Sequence, residues 1–141
     1  MKGKLSLIRK ETGLEAVLWK IFSLYIRKRD AIKTTGGMEF CRCVTCWEVK
    51  PFTDMDAGHC FSRSREGTKW EETNCHSQCR RDNGHRCNNG EIYAHKMYIR
   101  MTYGQVELDR LEYLSKKLVI QRRDDWYQGK IDFYKKKLEE L

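Results

Sequence analysis

The sequence predicts an α+β fold, with a small cysteine-rich core set between an N-terminal helix and a helical C-terminal extension. Three observations predict it. Helical periodicity runs over 14–35 and returns after 90. Between them, 40–90 holds all seven cysteines and three of the four histidines with little helical periodicity. Within that stretch, Cys43-Val44-Thr45-Cys46 forms a C-x2-C knuckle, the tight turn that points two thiolates at one tetrahedral Zn²⁺.

Each element follows in order. Leu14, Val17, Leu18, Ile21, Phe22, Tyr25 and Ile26 recur at helical spacing and predict an amphipathic core-packing helix. Arg27, Lys28, Arg29 and Lys33 near its end suit the helix dipole, and Gly36-Gly37 stops it. Short strands are expected around Lys50–Phe52 and Met55–Cys60, followed by a polar loop, Ser62–Thr68. A helix bearing Ile92, Tyr93, Met97 and Met101 ends at Gly104. Val106, Leu108, Leu111, Leu114 and Leu118 predict the next, and Trp126, Ile131, Phe133, Tyr134 and Leu138 a last, lysine-rich one. With 141 residues and one proline, the chain is expected to form a single domain, 1–141: helix 14–35, metal module 40–90 and helical extension 91–141. A core of this size gains from a structural metal.

Charged residues make up 34 % of the chain and mean hydropathy is −0.78, so the surface is polar. An aromatic fraction of 11 % excludes a disordered chain. Net charge is +8 and the pI about 9.2, as in polyanion binders, although a plain basic surface would read the same. Leu5, Leu7 and Ile8 are too few for a secretory signal, and Lys20 interrupts the most apolar stretch, so no membrane segment is expected. A soluble, cytoplasmic protein is the expectation. In a reducing compartment, its cysteines read as metal ligands and buried thiols rather than disulfides.

The second half of the zinc staple begins at Cys79, whose C-x2-C partner position holds Asp82. Aspartate oxygen ligates zinc less often than sulfur does, so Cys87 is a rival fourth ligand and His85 a weaker one. Cys41 competes with Cys43 at a longer spacing, and Cys60 and Cys75 read as buried small residues. Trp47 and Trp70 are expected in the core around the knuckle, and His76 and His95 are left as surface or core histidines.

Between the half-knuckles lies Asp56-Ala57-Gly58-His59, and Asn74, Asn83 and His85 follow. Metal-assisted phosphodiester hydrolysis needs a neutral imidazole to take a proton from water and a divalent cation at the leaving oxygen. This constellation could supply both.

The order of these residues resembles an HNH nuclease built on a treble-clef zinc knuckle (a ββα-metal core). More narrowly, the chain resembles the NinG/Rap recombination nucleases of lambdoid phages. The likeness runs from Phe22-Ser23-Leu24-Tyr25-Ile26-Arg27-Lys28-Arg29-Asp30 through the knuckle and Asp56-Ala57-Gly58-His59. It continues through Trp70-Glu71-Glu72-Thr73-Asn74, Gln78-Cys79, Asn83, His85, Tyr93 and Tyr103-Gly104. Asp82 departs from the pattern, which normally has a second cysteine there.

The resemblance implies His59 as general base, Asp56 as ligand or orienter at a catalytic metal, and Asn74 as the asparagine that holds the metal-binding loop. It implies Asn83 and His85 as ligands of a catalytic Mg²⁺ or Mn²⁺ beside the structural Zn²⁺. Arg63, Arg65 and Arg81 are candidates for substrate phosphate. The implied activity is a metal-dependent DNA endonuclease cutting branched recombination intermediates such as Holliday junctions and D-loops. Homodimerisation would suit symmetric nicks, and a phage-encoded protein in the bacterial host is implied. The competing readings are a non-catalytic zinc-dependent nucleic-acid-binding module and a thiol redox protein using Cys43 and Cys46.

Overall fold

A computed structural model describes residues 13–83, 89–117 and 121–141. Helix α1 spans Leu14–Thr35. The metal module follows with β1 (Phe40–Arg42), β2 (Val49–Pro51), a 3-10 turn (Phe52–Asp54), β3 (Met55–His59), the short helix α2 (Glu66–Lys69), a second 3-10 turn (Glu72–Asn74), β4 (Cys75–Cys79) and the one-turn helix α3 (Arg80–Asn83). Three helices complete the described chain: α4 (Asn89–Tyr103), α5 (Gln105–Ser115) and α6 (Asp124–Glu140). The fold is α+β with two small antiparallel sheets, β1–β2 and β3–β4. Among the described residues, no helix is long and apolar enough to cross a membrane.

The described residues divide into two compact units, 13–25 with 121–141, and 26–83 with 89–117. In the first, Leu18, Phe22 and Tyr25 of α1 and Tyr127, Ile131 and Tyr134 of α6 are buried at helical spacing. The Phe22 and Tyr134 rings meet edge-on at 5.0 Å, and Tyr25 lies 5.3 Å from Tyr134. Lys137 sits 4.9 Å over the Tyr25 ring, so the lysine-rich face of α6 covers aromatic edges with its stems.

In the second unit, the rest of α1 meets the metal module. The helix ends where the chain turns at Gly36, at φ 83°, backbone that glycine adopts without strain. Thr35 Oγ1 donates to the Phe40 carbonyl at 2.9 Å and fixes the exit into β1. Strands β3 and β4 pair in full register from Met55↔Cys79 to His59↔Cys75.

Every residue of β4 is buried although its sequence is Cys-His-Ser-Gln-Cys. Its second edge is satisfied without another strand. Arg29 donates to the Cys75 carbonyl (2.7 Å), and Asp30 accepts from the Ser77 amide (2.7 Å). The Val44 amide donates to the Ser77 carbonyl (2.9 Å), and the Cys79 amide donates to Cys43 Sγ (3.3 Å).

Several expectations need correction. The sequence signals missed β1 and β4. The expected loop Ser62–Thr68 contains the start of α2, with Gly67 and Thr68 buried. Trp70 is buried as expected, but Trp47 is 61 % exposed. His76 and His95 are both core residues: His76 Nδ1 meets His95 Nε2 at 2.9 Å, and His76 Nε2 meets the Tyr103 hydroxyl at 2.9 Å.

Burial pushes the pKa of His76 well down and that of His95 to about 3. Both folded values lie below the unfolded value of about 6.5, so the unfolded chain takes up protons first. The stability these neutral rings contribute is therefore complete above about pH 6.5 and is lost as pH falls towards the folded values. Urea unfolding between about pH 8 and about pH 5 should show a decline of up to about 1.4 kcal/mol per pH unit for each histidine. His95→Gln should flatten that decline relative to the parent. Equal pH slopes in parent and variant would refute the assignment.

Candidate metal centre and histidine site

Cys43, Cys46, Cys79 and Asp82 present ligand atoms that all lie within 4.8 Å of one another. The knuckle after β1 supplies the first two, the last residue of β4 the third and α3 the fourth. Cys46 and Cys79 sulfurs are 3.7 Å apart, and Cys43 Sγ lies 3.7 Å from Asp82 Oδ2. Tetrahedral zinc with Zn–S bonds of about 2.3 Å spaces its sulfurs about 3.8 Å apart. The donor set therefore fits a structural metal such as zinc. Among the described residues Asp82 supplies the fourth donor of the cluster, and Cys41 stands outside it, with Thr34 Oγ1 3.8 Å from its sulfur. The rival ligands Cys87 and His85 lie outside the described residues.

The surroundings prepare these donors for a cation. Amides of Cys46 (3.5 Å) and Cys79 (3.3 Å) point at Cys43 Sγ. Against the desolvation of burial, those amides and the Thr45 hydroxyl hold the Cys43 thiol below its usual range. Burial and the adjoining Cys43 sulfur push the Cys46 thiol up to about 12. Burial likewise raises Cys79. Crowded thiols resist ionising together, and a bound divalent cation removes that resistance. Thr45 donates to Asp82 Oδ2 at 2.7 Å and accepts from Gln78 Nε2 at 3.1 Å. Against desolvation, the Thr45 and Arg81 hydrogen bonds keep Asp82 below its usual pKa. Thr45 and Gln78 were not singled out from the sequence, because a residue that orients a ligand carries no spacing signature.

The second group of predicted residues is built on β3. Gly58 has no room for a side chain, since a Cβ there would collide with the Gln78 amide oxygen and lie 2.9 Å from Asn83 Oδ1. That close approach sets Asn83 beside the strand, where its Nδ2 donates to Asp56 Oδ2 at 3.2 Å. Arg80 also reaches this carboxylate, at 3.6 Å.

His59 ends the strand. Its Nε2 is 2.9 Å from the Lys69 carbonyl, which can only accept, so Nε2 carries the proton and the neutral ring has its lone pair on Nδ1. Burial lowers the pKa of His59 to about 4, the Lys69 bond opposing it and the Arg63 and Lys69 charges adding to it. No sequence signal marks a backbone carbonyl, so the part of Lys69 was missed.

Asn74 is fully buried and clasps the intervening loop. Its Oδ1 accepts from the Phe61 amide (2.8 Å), while Nδ2 donates to the carbonyls of Phe61 and Thr68 (both 3.0 Å). Arg63 is exposed near His59. Arg65 reaches the Ser115 carbonyl at 3.5 Å, and Arg81 pairs with Glu48 (3.9 Å) and Asp82 (3.4 Å). The structure thus joins Asp56 to Asn83, leaves Arg63 exposed where its charge reaches His59, and places Arg81 beside the sulfur cluster.

Metal analysis of purified protein should find about one zinc per chain. Cys79→Ser should lose it and its cooperative unfolding, as chelation does for small metal-stapled domains. Asp82→Cys should hold zinc against chelator longer than the parent, and Cys87→Ser should bind like the parent. Loss of zinc in Cys87→Ser would move the fourth ligand off Asp82.

No curated protein and no solved structure matches the chain. The model of one family, described as Bacteriophage Lambda NinG protein, matches residues 1–141. A match over the whole length shows that the chain belongs to the bacteriophage lambda NinG family.

Proposed function

We propose that the protein is an HNH-type, ββα-metal DNA endonuclease on a treble-clef zinc scaffold, acting on branched recombination intermediates of phage DNA. The observation that carries this reading is the His59–Lys69 hydrogen bond of 2.9 Å. It holds the imidazole in the tautomer whose Nδ1 can take a proton from water, and the depressed pKa keeps that nitrogen unprotonated at neutral pH. Family membership supports a role in phage recombination.

The rest of the constellation supports the same chemistry. Asp56 and Asn83 offer hard oxygen donors, and Mg²⁺ is commonly held by one or two carboxylates with waters completing its shell. A divalent cation there, with His85 as a further ligand, would neutralise charge on the leaving oxygen. The three-residue spacing sends Asp56 and His59 from opposite faces of β3, so a phosphate that meets both must straddle the strand's end. Arg63 stands near that end as a cation for the phosphate, and Arg65 lies two residues further on. Arg81 is better placed to neutralise the metal cluster than to clamp substrate. The net charge of +8 suits a polyanion, and two copies related by a two-fold axis would supply paired nicks. Activity in the host cytoplasm, where phage DNA recombines, completes the reading.

Cleavage of junction, D-loop and duplex DNA with Mg²⁺ or Mn²⁺ tests it. His59→Ala should slow cutting by about 10²- to 10⁴-fold while leaving DNA affinity within a few-fold. Asp56→Ala should cut slowly and require more metal. If His59→Ala cuts like the parent, the mechanism is wrong. If the parent binds DNA and cuts none of these substrates, the chain is a zinc-dependent binding module instead.

A further inference from the structure

Trp47 follows directly on the second knuckle cysteine and is the one non-glycine residue among those described with positive φ, at 67°. A bulky side chain adopts that region only under strain, and glycine would sit there without it. The knuckle imposes the turn: the Trp47 amide donates to the Cys43 carbonyl at 3.1 Å. Packing does not repay the strain, because the indole is 61 % exposed. Arg42 Nη1 donates to the Trp47 carbonyl at 3.0 Å and holds the backbone that carries the ring.

Trp47 borders a shallow, open cleft. Arg42 and Tyr98 share its walls, and the buried His76, Ser77 and Asp30 lie deeper. Lys33, exposed, stands 5.8 Å over the Tyr98 ring and adds a second cation beside the aromatic wall. Ser77 is 1 % exposed, and its Oγ has no well-formed hydrogen bond among the described residues, its influence falling on the Cys41 thiol. Two aromatic rings, two cations and a polar floor match one flat, polar-edged ring attached to a polyanion.

We infer that this cleft receives an unpaired nucleobase of the DNA substrate, stacked on Trp47, with Arg42 and Lys33 facing the adjoining phosphates. The inference rests on the nucleic-acid reading above and deepens it. Branch points expose unpaired bases that a fully paired duplex does not, and stacking is tolerant of sequence because every base has a π face. A site of this kind would favour branched over regular DNA with no base-specific contact.

The test is anisotropy with a labelled mixed-sequence single strand, the matching duplex, and a duplex with one extrahelical base. Trp47→Gly and Trp47→Asn remove the ring while suiting the positive φ, and Trp47→Phe keeps an aromatic face. The non-aromatic variants should keep their zinc and melt near the parent. They should bind the single strand and the extrahelical-base duplex roughly 5- to 150-fold more weakly, and the regular duplex within two-fold. Trp47→Phe should recover most of the loss.

Unchanged single-strand binding, an equal loss on all three DNAs, or loss of zinc in both non-aromatic variants would overturn the inference. A parent that cuts junctions while Trp47→Gly binds normally sinks this inference alone. A parent that never cuts but binds unpaired bases through Trp47 sinks the nuclease reading alone. If the parent binds none of the three DNAs, both fall.

Discussion

The burial of β4 is the constraint on which the second unit depends. A strand reading Cys-His-Ser-Gln-Cys has little apolar surface to hold it in a core, and its backbone groups must be satisfied on both edges. One edge pairs with β3. The other is met by the Arg29–Asp30 pair of α1, by the Val44 amide and by Cys43 Sγ. Arg29 also donates to the Glu72 carbonyl at 3.0 Å, so one guanidinium fixes the approach to the strand and its first residue. Against the desolvation of burial, Asp30 keeps Arg29 charged. Removing either partner would strand a buried charge, a loss of about 3–5 kcal/mol. The helix thus positions the strand through polar contacts rather than apolar contacts alone, and β4 then positions both chemical groups. Its register with β3 sets Asp56 and His59, and its last residue is Cys79.

The four-donor cluster closes the opposite end of the same strand. Three sulfurs and a carboxylate would together carry four negative charges around a divalent ion. The excess is met by the amides aimed at Cys43, by Thr45 and by Arg81. Aspartate in place of a fourth cysteine becomes intelligible in these terms. It gives up a soft donor but gains an oxygen that Thr45 and Arg81 can hydrogen-bond, which a thiolate accepts less well.

What could be read in advance was what local periodicity or covalent spacing encodes. The apolar stripe of α1 ends at the glycine pair that stops it, and Cys43-x-x-Cys46 is a turn whose geometry is set within four residues. Asp82 at the spacing of a missing cysteine is also legible, though only as one candidate beside Cys87 and the weaker His85. What could not be read depends on partners distant in sequence. β4 has no alternation because both its faces are buried, and its outer edge is satisfied by Arg29 and Asp30, more than forty residues away. Trp47 is expected in the core around the knuckle, but the knuckle dictates a left-handed turn that leaves the indole exposed. His59 was legible as a residue. Its tautomer was not, because that is set by a backbone carbonyl ten residues on.

The two groups of functional side chains are physically coupled through α3. A single helical turn from Arg80 to Asn83 has no stability of its own, since nucleation costs more than one turn returns. What holds it is Asp82 in the cluster on one side and the Gly58 surface of β3 on the other. Asn83 follows Asp82 directly, so the contacts that seat Asp82 in the cluster also set the Nδ2 amide that donates to Asp56. The missing side chain at Gly58 completes the arrangement, because a Cβ there would collide with the Gln78 amide oxygen and come within 2.9 Å of Asn83 Oδ1, so those side chains would have to shift. The spacing Asp56-Ala57-Gly58-His59 therefore encodes more than an acid and a base. It encodes the gap through which α3, whose Asp82 belongs to the four-donor cluster, reaches the strand that carries both.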